Sequence, residues 1–251
     1  METTSYTIMH RAAQYLATVA KSFIHAKEDD SHTNLGWNPE DGSLRTHPID
    51  ENSLCFVLHY PSFSLGWEDS SGQLDVLALN NMTHQEVLHW IQATASKLGL
   101  GNYAFDLHYE LPFDALTPVY RYVMPTSEEI QRLIKIRGLG NAAILGAAKQ
   151  LGMNLSPRIW PHHFDTGILI QLETPRAIGV GMGVPDKLVD DFYFYVSGYH
   201  GHNYIDNTSF PETKYGKKHS DWWKGYAMQL AETNLKEATQ FLEEAIQYYR
   251  Y

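Results

Sequence analysis

The sequence predicts an α+β protein in which antiparallel sheets are backed by helices, and three observations lead to this fold class. Short strand-like runs follow one another with turn residues between them, as at 54–60, 63–68 and 73–79. Amphipathic helical segments flank these runs and do not alternate with single strands, which favours antiparallel pairing. At 251 residues, 43% of them apolar and 19% charged, the chain is long enough to bury a sizeable core.

In the first half of the chain, the pattern predicts a helix, three strands and a second helix. Residues 5–25 carry apolar side chains at helical spacing, with Ser5 as the expected cap. Residues 28–51 are polar and rich in turn formers, which predicts a long loop with at most a short edge strand. The Thr83–Glu86 pair forms a capping box, and the helix that it opens is expected to end at Gly99.

A strand predicted at 103–111 ends the first half, and an irregular connection follows it. A second capping box, Thr126 to Glu129, opens another helix. Gly138 and Gly140 weaken the middle of this helix and predict either a break or close packing there.

The pattern then predicts three strands, at 164–173, 177–182 and 192–197. A polar loop through residue 218 and a final helix over 220–249 follow them. The order in the second half resembles that in the first, so the chain is compatible with two similarly built α-βββ-α halves. We place these halves at 1–112 and 113–251, with the candidate site in the second, and they are free to pack as one domain.

Charge and cysteine content narrow the classes of partner. A formal net charge of −10 argues against nucleic acid, because phosphate binding needs clustered Lys and Arg. The one short basic cluster, 214–219, is interpreted as a solvated loop. A single cysteine, Cys55, excludes an intramolecular disulfide and fits a reducing compartment. No apolar run reaches the length of a membrane span, so we expect a soluble, cytoplasmic protein without a membrane partner.

Side chains able to do chemistry gather in two stretches, 160–165 and 199–204. On an extended strand His163 and Asp165 point to one face, and His200 and His202 share a face under the same condition. Imidazole and carboxylate are common ligands of zinc, iron and manganese, so these four residues form a candidate site for a transition metal. In that hypothesis the protein is a metal-dependent enzyme in which His163 is the catalytic base or ligand and Asp165 orients it. The alternative is that His163 and Asp165 hydrogen-bond the backbone at the strand entry.

Aromatic residues near the same strands predict a small-molecule pocket instead of a metal site. Trp160, Tyr193, Tyr195 and Tyr199 combine apolar bodies with polar tips, the usual composition of a ligand-binding pocket. The alternatives are sheet packing with satisfied hydroxyls, and a non-catalytic module that binds a partner through this surface. Exposed aromatics and amphipathic terminal helices also favour a homodimer, with a monomer as the alternative.

The glycine-rich run 179–183 superficially matches a phosphate-binding loop. No helix is predicted directly after it and no βαβ unit surrounds it, so we expect no nucleotide cofactor. The glycines are better explained by close strand packing or a bulge.

Several short motifs occur in a fixed order along the chain: His10-Arg11 with Gln14, the Asp69–Gly72 turn, Leu98-Gly99-Leu100, the His163-Phe164-Asp165 strand entry and the aromatic strand at 191–196 with its Tyr-x-Tyr-Val pattern. Through these motifs the chain resembles a mainly bacterial family of uncharacterised proteins, a domain of unknown function. Most of the chain takes part in the resemblance, which implies family membership but no mechanism.

Overall fold

The computed structural model describes residues 4–250 and confirms the α+β class. Within that range it has four α-helices and two antiparallel sheets, of five and seven strands. The elements in chain order are α1 (Ser5–Phe23), β1 (Gly36–Asn38), β2 (Ser43–Arg45), β3 (Cys55–His59), β4 (Ser64–Asp69), β5 (Gly72–Ala78), α2 (His84–Lys97), α3 (Ser127–Gln150), β6 (Arg158–Trp160), β7 (Asp165–Gln171), β8 (Arg176–Gly183), β9 (Tyr193–His200), β10 (Asn203–Tyr204), β11 (Lys217–Ser220), β12 (Lys224–Gln229) and α4 (Leu235–Arg250).

The chain divides into two compact units, and the division falls inside α3. Unit 1 comprises the chain up to Ile136 together with Ile159–His163. Unit 2 comprises Arg137–Arg158 and the chain from Phe164 onward. The predicted halves meet at residues 112 and 113, in a segment that unit 1 contains entirely.

Unit 1 is built on a meander whose strands follow the order β1-β2-β3-β4-β5. The three predicted strands at 54–79 are confirmed, with Cys55 paired to Glu68 and Gly66 to Val76. Side chains on one face, among them Phe56 and Trp67, are fully buried. The indole of Trp67 donates a 2.8 Å hydrogen bond to Thr94 Oγ1 and so ties the sheet to α2.

The helix starts show how far local chemistry predicts structure. Both capping boxes form, and in each the threonine hydroxyl accepts from the glutamate amide at 3.3 Å. The glutamate carboxylate accepts from the threonine amide in return, at 2.7 Å for Thr83 and 2.8 Å for Thr126. In α1 the cap is Thr4, one residue before the predicted Ser5.

The strand predicted at 103–111 is wrong, because this segment adopts no regular structure. Its polar backbone groups bond to side chains instead of a neighbouring strand. The amide of Tyr103 donates to Gln92 Oε1 at 3.0 Å, and that of Ala104 donates to Ser22 Oγ at 3.2 Å. Alternating side chains alone do not make a strand when no backbone partner lies alongside.

In unit 2 the strands follow the order β11-β12-β9-β8-β7, and β10 pairs with β9. One face of this sheet carries apolar residues such as Val180 and Val196, which are Cα partners and fully buried. Helix α4 packs on that face so closely that a Cβ added to Gly198 would lie 2.2 Å from Tyr249 Cδ1. Gly140 of α3 likewise leaves no room for a Cβ beside Met182, so the predicted close packing is confirmed and the helix continues.

The final helix predicted over 220–249 is wrong in its first part. Residues 217–229 form the β11–β12 hairpin, in which Tyr226 pairs with Val196 and Met228 with Phe194. Helix α4 begins at Leu235, after Asn234, whose side chain accepts from the Glu237 amide at 3.1 Å. The strand β12 is buried on both faces along Gly225–Met228, and its pairing with β9 and β11 decides its conformation.

Candidate functional site

The face of the unit 2 sheet that points away from α4 carries tyrosine rings, and these rings lie directly on glycines. The pairs are Tyr193 on Gly183, Tyr195 on Gly181 and Tyr199 on Gly179. A Cβ added to these glycines would lie 2.9, 2.6 and 3.1 Å from the respective rings. The glycine run therefore serves close packing across β8 and β9, as predicted.

The first of two tyrosine–carboxylate pairs joins β9 to the start of β7. Tyr195 Oη donates to Asp165 Oδ2 at 2.5 Å. Burial, and then the negative charge of Asp165, raises the pKa of Tyr195 well above its usual value. The phenol therefore keeps its proton and acts as a donor. The second carboxylate oxygen, Asp165 Oδ1, is buried and has no hydrogen-bond partner among residues 4–250.

The second pair shapes the β8–β9 connection. Tyr193 Oη donates to Asp186 Oδ2 at 2.7 Å. Asp186 Oδ1 accepts from the amides of Leu188 at 2.7 Å and Val189 at 3.2 Å. Burial, followed by the hydrogen bond to Asp186, raises the pKa of Tyr193. One carboxylate thus holds the connecting loop in a turn and anchors it to the sheet.

A cleft of about 630 Å³ opens beside this loop. Its charged lining residues are Asp186, Lys187, Asp190 and Lys217, its other titratable ones are Tyr215 and His219, and its apolar ones include Leu188, Val189 and Met228. The cleft therefore presents carboxylates, ammonium groups and an imidazole around one volume. Burial, followed by the positive charge of Lys217, lowers the pKa of His219. We therefore expect its imidazole to be neutral at pH 7.

The predicted catalytic pair, His163 and Asp165, is divided between the units, with His163 in unit 1 and Asp165 in unit 2. The prediction that both side chains share a face assumed an extended backbone. Residues 161–164 instead form a turn, and Phe164 has a φ of 61°. The alternation rule therefore does not apply to this pair.

The four predicted metal ligands are not brought together. Asp165 begins β7, beside the pairing of Thr166 with Met182, whereas His200 pairs with Arg176 at the far end of β8. Six residues of β9 separate these levels, about 20 Å at roughly 3.3 Å per residue. His202 follows Gly201, whose φ is 62°, in the exposed turn between β9 and β10. In the described part of the chain, no group of three or more His, Cys, Asp or Glu could hold a metal ion.

Trp160 belongs to unit 1, where the stretch around it is held against α1. The carbonyl of Pro161 lies 2.7 Å from His10 Nε2 and accepts from Gln14 Nε2 at 2.9 Å. The centroid of the His162 imidazole lies 6.2 Å from that of Trp160, in an edge-to-face contact, and 4.3 Å from that of His163, whose ring is tilted against it. This stretch therefore has a structural attachment within unit 1, and the three predicted tyrosines belong to unit 2.

Sequence reasoning missed the cleft residues themselves. Asp186 was not among the predicted site residues, although an Asp after a proline is a common start of a turn in which its side chain accepts from an amide two residues on. Lys217 and His219 were assigned to a solvated loop, whereas they lie on β11, paired with β12. The register of the hairpin at 217–229 places both residues on the face of Ala227, and no alternating pattern in this stretch announces it.

Comparisons with known proteins add no family assignment. No family model matches the chain, and searches of curated proteins and of solved structures give no match either. The resemblance to a domain-of-unknown-function family therefore stays a prediction. Among residues 4–250, no helix combines the length and apolar character that crossing a bilayer requires.

Proposed function

We propose that unit 2 binds a small zwitterionic molecule, of the amino-acid class, in the cleft beside the Asp186 loop. One observation carries the proposal: groups of both charge signs surround the same volume of about 630 Å³. Asp186 and Asp190 are suited to an ammonium group, and Lys187 and Lys217 to a carboxylate. The volume lies in the range of about 300–1,000 Å³ that small-molecule sites occupy.

The lining also suits the uncharged part of such a ligand. Leu188 and Val189 offer apolar contact to an aliphatic side chain. A neutral His219 offers one donor and one acceptor. These groups supply selectivity among zwitterions of different side chains, while the charged residues bind the common backbone.

The support for the cleft is rigid, which lowers the cost of binding. Tyr193 holds Asp186 at 2.7 Å, and the Tyr193 ring itself rests on Gly183. Groups already held in position lose little conformational entropy when a ligand arrives. We therefore expect the Asp186 carboxylate to occupy nearly the same place with and without ligand.

Saturation-transfer NMR with the twenty standard amino acids, followed by calorimetry on those that bind, tests the proposal. Binding should weaken with added salt, because the attraction is between charges. Lys217→Ala and Asp190→Asn should each weaken it by about tenfold to a hundredfold, the range for loss of a charged hydrogen-bond partner. His202→Ala is the matched control, since His202 is exposed at the far end of the sheet.

If none of the amino acids binds, the proposed function is refuted. It is equally refuted if binding survives both cleft substitutions unchanged, because the contact then lies elsewhere on the protein.

The cytoplasmic location and the homodimer form part of this proposal. The single cysteine supports a reducing compartment. Leu74 and Val76, 43% and 45% exposed on the edge strand β5, support self-association through that edge. Light scattering should then give twice the chain mass of 28.7 kDa, falling to one chain mass in Val76→Lys. A mass of one chain for the parent protein would rule out the homodimer.

A further inference from the structure

A second cavity, of about 530 Å³, lies wholly within unit 1 and is independent of the proposed zwitterion site. One of its walls is a face of α2. The residues on that face are His84, Gln85, Leu88, His89 and Gln92, whose spacing places them along one side of a helix.

The other wall is an ordered segment without helix or strand, which contributes Tyr103, Phe105, Leu116 and Pro118. Hydrogen bonds hold it to α2: the Gln85 amide donates to Pro118 O at 3.1 Å. Irregular segments of such length within a compact fold commonly form binding loops.

The cavity is largely apolar, and none of its lining residues carries a carboxylate, ammonium or guanidinium group. A charged ligand would lose its hydration without gaining an opposite charge. The lining therefore favours an uncharged molecule, in contrast to the cleft of unit 2.

His84 supplies one oriented polar group in these apolar surroundings. Its side chain is buried at 5% exposure, and its Nδ1 lies 2.7 Å from Tyr15 Oη. Burial raises the pKa of Tyr15 and lowers that of His84, so both groups are uncharged at pH 7. We assign the proton of this hydrogen bond to the Tyr15 hydroxyl, which then donates to His84 Nδ1.

This assignment determines the role of the second ring nitrogen. A neutral imidazole that accepts at Nδ1 carries its own proton on Nε2. Within residues 4–250 no hydrogen bond to His84 Nε2 is formed, while the residue lines the cavity. The cavity therefore contains an N–H donor whose partner has to come from a ligand or from water.

We infer that the unit 1 cavity binds an uncharged, mainly apolar small molecule that presents one carbonyl-type acceptor to His84 Nε2. Leu88, Phe105, Leu116 and Pro118 contact its apolar body. The single donor orients it and distinguishes it from a pure hydrocarbon.

Benzophenone and diphenylmethane are suitable probes, because they have the same two rings and differ by one carbonyl oxygen. Titration of the ¹⁵N-labelled full chain should shift amide signals of α2 and of residues 103–118 with both compounds. Benzophenone should bind about threefold to tenfold more tightly, the difference that one net hydrogen bond makes. Absence of binding, equal affinities, or shifts confined to other residues would each overturn the inference.

Two variants locate the site without touching the buried His84. Leu88→Glu introduces a charge into the cavity and should abolish benzophenone binding. Ala93→Glu adds the same charge at an exposed position of the same helix and should leave binding unchanged. Equal binding by both variants would place the compound elsewhere and overturn the inference.

Discussion

Replacing Gly181 with alanine tests the tyrosine-on-glycine packing of the unit 2 sheet. The added Cβ would lie 2.6 Å from both Cζ and Oη of Tyr195 and 2.7 Å from the carbonyl oxygen of Thr166. Carbon atoms in contact normally stay about 3.5–4.0 Å apart, so the tyrosine ring has to move by about 1 Å. The Thr166 carbonyl belongs to β7 and cannot retreat without disturbing the sheet.

Two costs follow from that movement. Overpacking of a core position costs about 1–3 kcal/mol. Displacing the Tyr195 hydroxyl also breaks its 2.5 Å hydrogen bond to Asp165 Oδ2. Both oxygens of the Asp165 carboxylate would then lack a donor, because Oδ1 has none in the parent structure among residues 4–250. A buried acceptor without a partner costs about 1–3 kcal/mol more. We therefore expect Gly181→Ala to lower the free energy of unfolding by about 2–6 kcal/mol.

The assay is urea unfolding, followed by circular dichroism, of the parent protein and two glycine variants. Gly138→Ala is the matched control, because it lies within α3 in the same unit and a Cβ there meets nothing within 4 Å. Alanine should stabilise this helix by about 0.5–1 kcal/mol. If Gly181→Ala unfolds at the parent urea concentration while Gly138→Ala is stabilised, the tyrosine does not rest on Gly181 and the argument fails.

Three further predictions concern unit 1. Thr83→Ala should lower the free energy of unfolding in urea by about 1 kcal/mol through loss of the capping box, whereas Thr117→Ala, which removes an exposed hydroxyl, should not change it. Burial lowers the pKa of His84, so the unfolded chain binds the extra proton more readily and stability should fall as pH drops below about 6.5. Between neutral and mildly acidic pH, the urea midpoint should fall less in His84→Gln than in the exposed variant His202→Gln. An equal fall in both variants would contradict the lowered pKa of His84. Burial raises the pKa of the Cys55 thiol, so alkylation by iodoacetamide at pH 7 should be slower in the folded protein than in urea, and equal rates would contradict this.

The elements that sequence reasoning located well are those specified by neighbours along the chain. Thr83 and Glu86 need only three residues of separation to form a capping box, and the box forms as predicted. The meander of β3, β4 and β5 likewise depends on short turns between alternating runs. Close strand packing at the glycines of 179–183 was also predicted, because no helix follows them directly and no βαβ unit surrounds them.

The errors occur where a distant partner decides the conformation. Residues 103–111 alternate like a strand, but side chains of Gln92 and Ser22 take their backbone hydrogen bonds. The segment with Trp222 and Trp223 was interpreted as helical, but β9 supplies a ladder that makes residues 224–229 a strand. The local sequence of each segment does not show which remote groups will compete for its backbone hydrogen bonds, so the outcome could not be predicted from that segment alone.

The candidate site divides in the same way. Composition and spacing along the chain were sufficient to indicate an α+β fold, two capped helices and a concentration of polar aromatics on β9. The position of each functional group depended on strand register, which places His200 far from Asp165 and brings Lys217 of β11 to the cleft beside Asp186. A shift of register moves side chains across and along a sheet without changing the local sequence pattern, so the arrangement of the cleft required the folded structure.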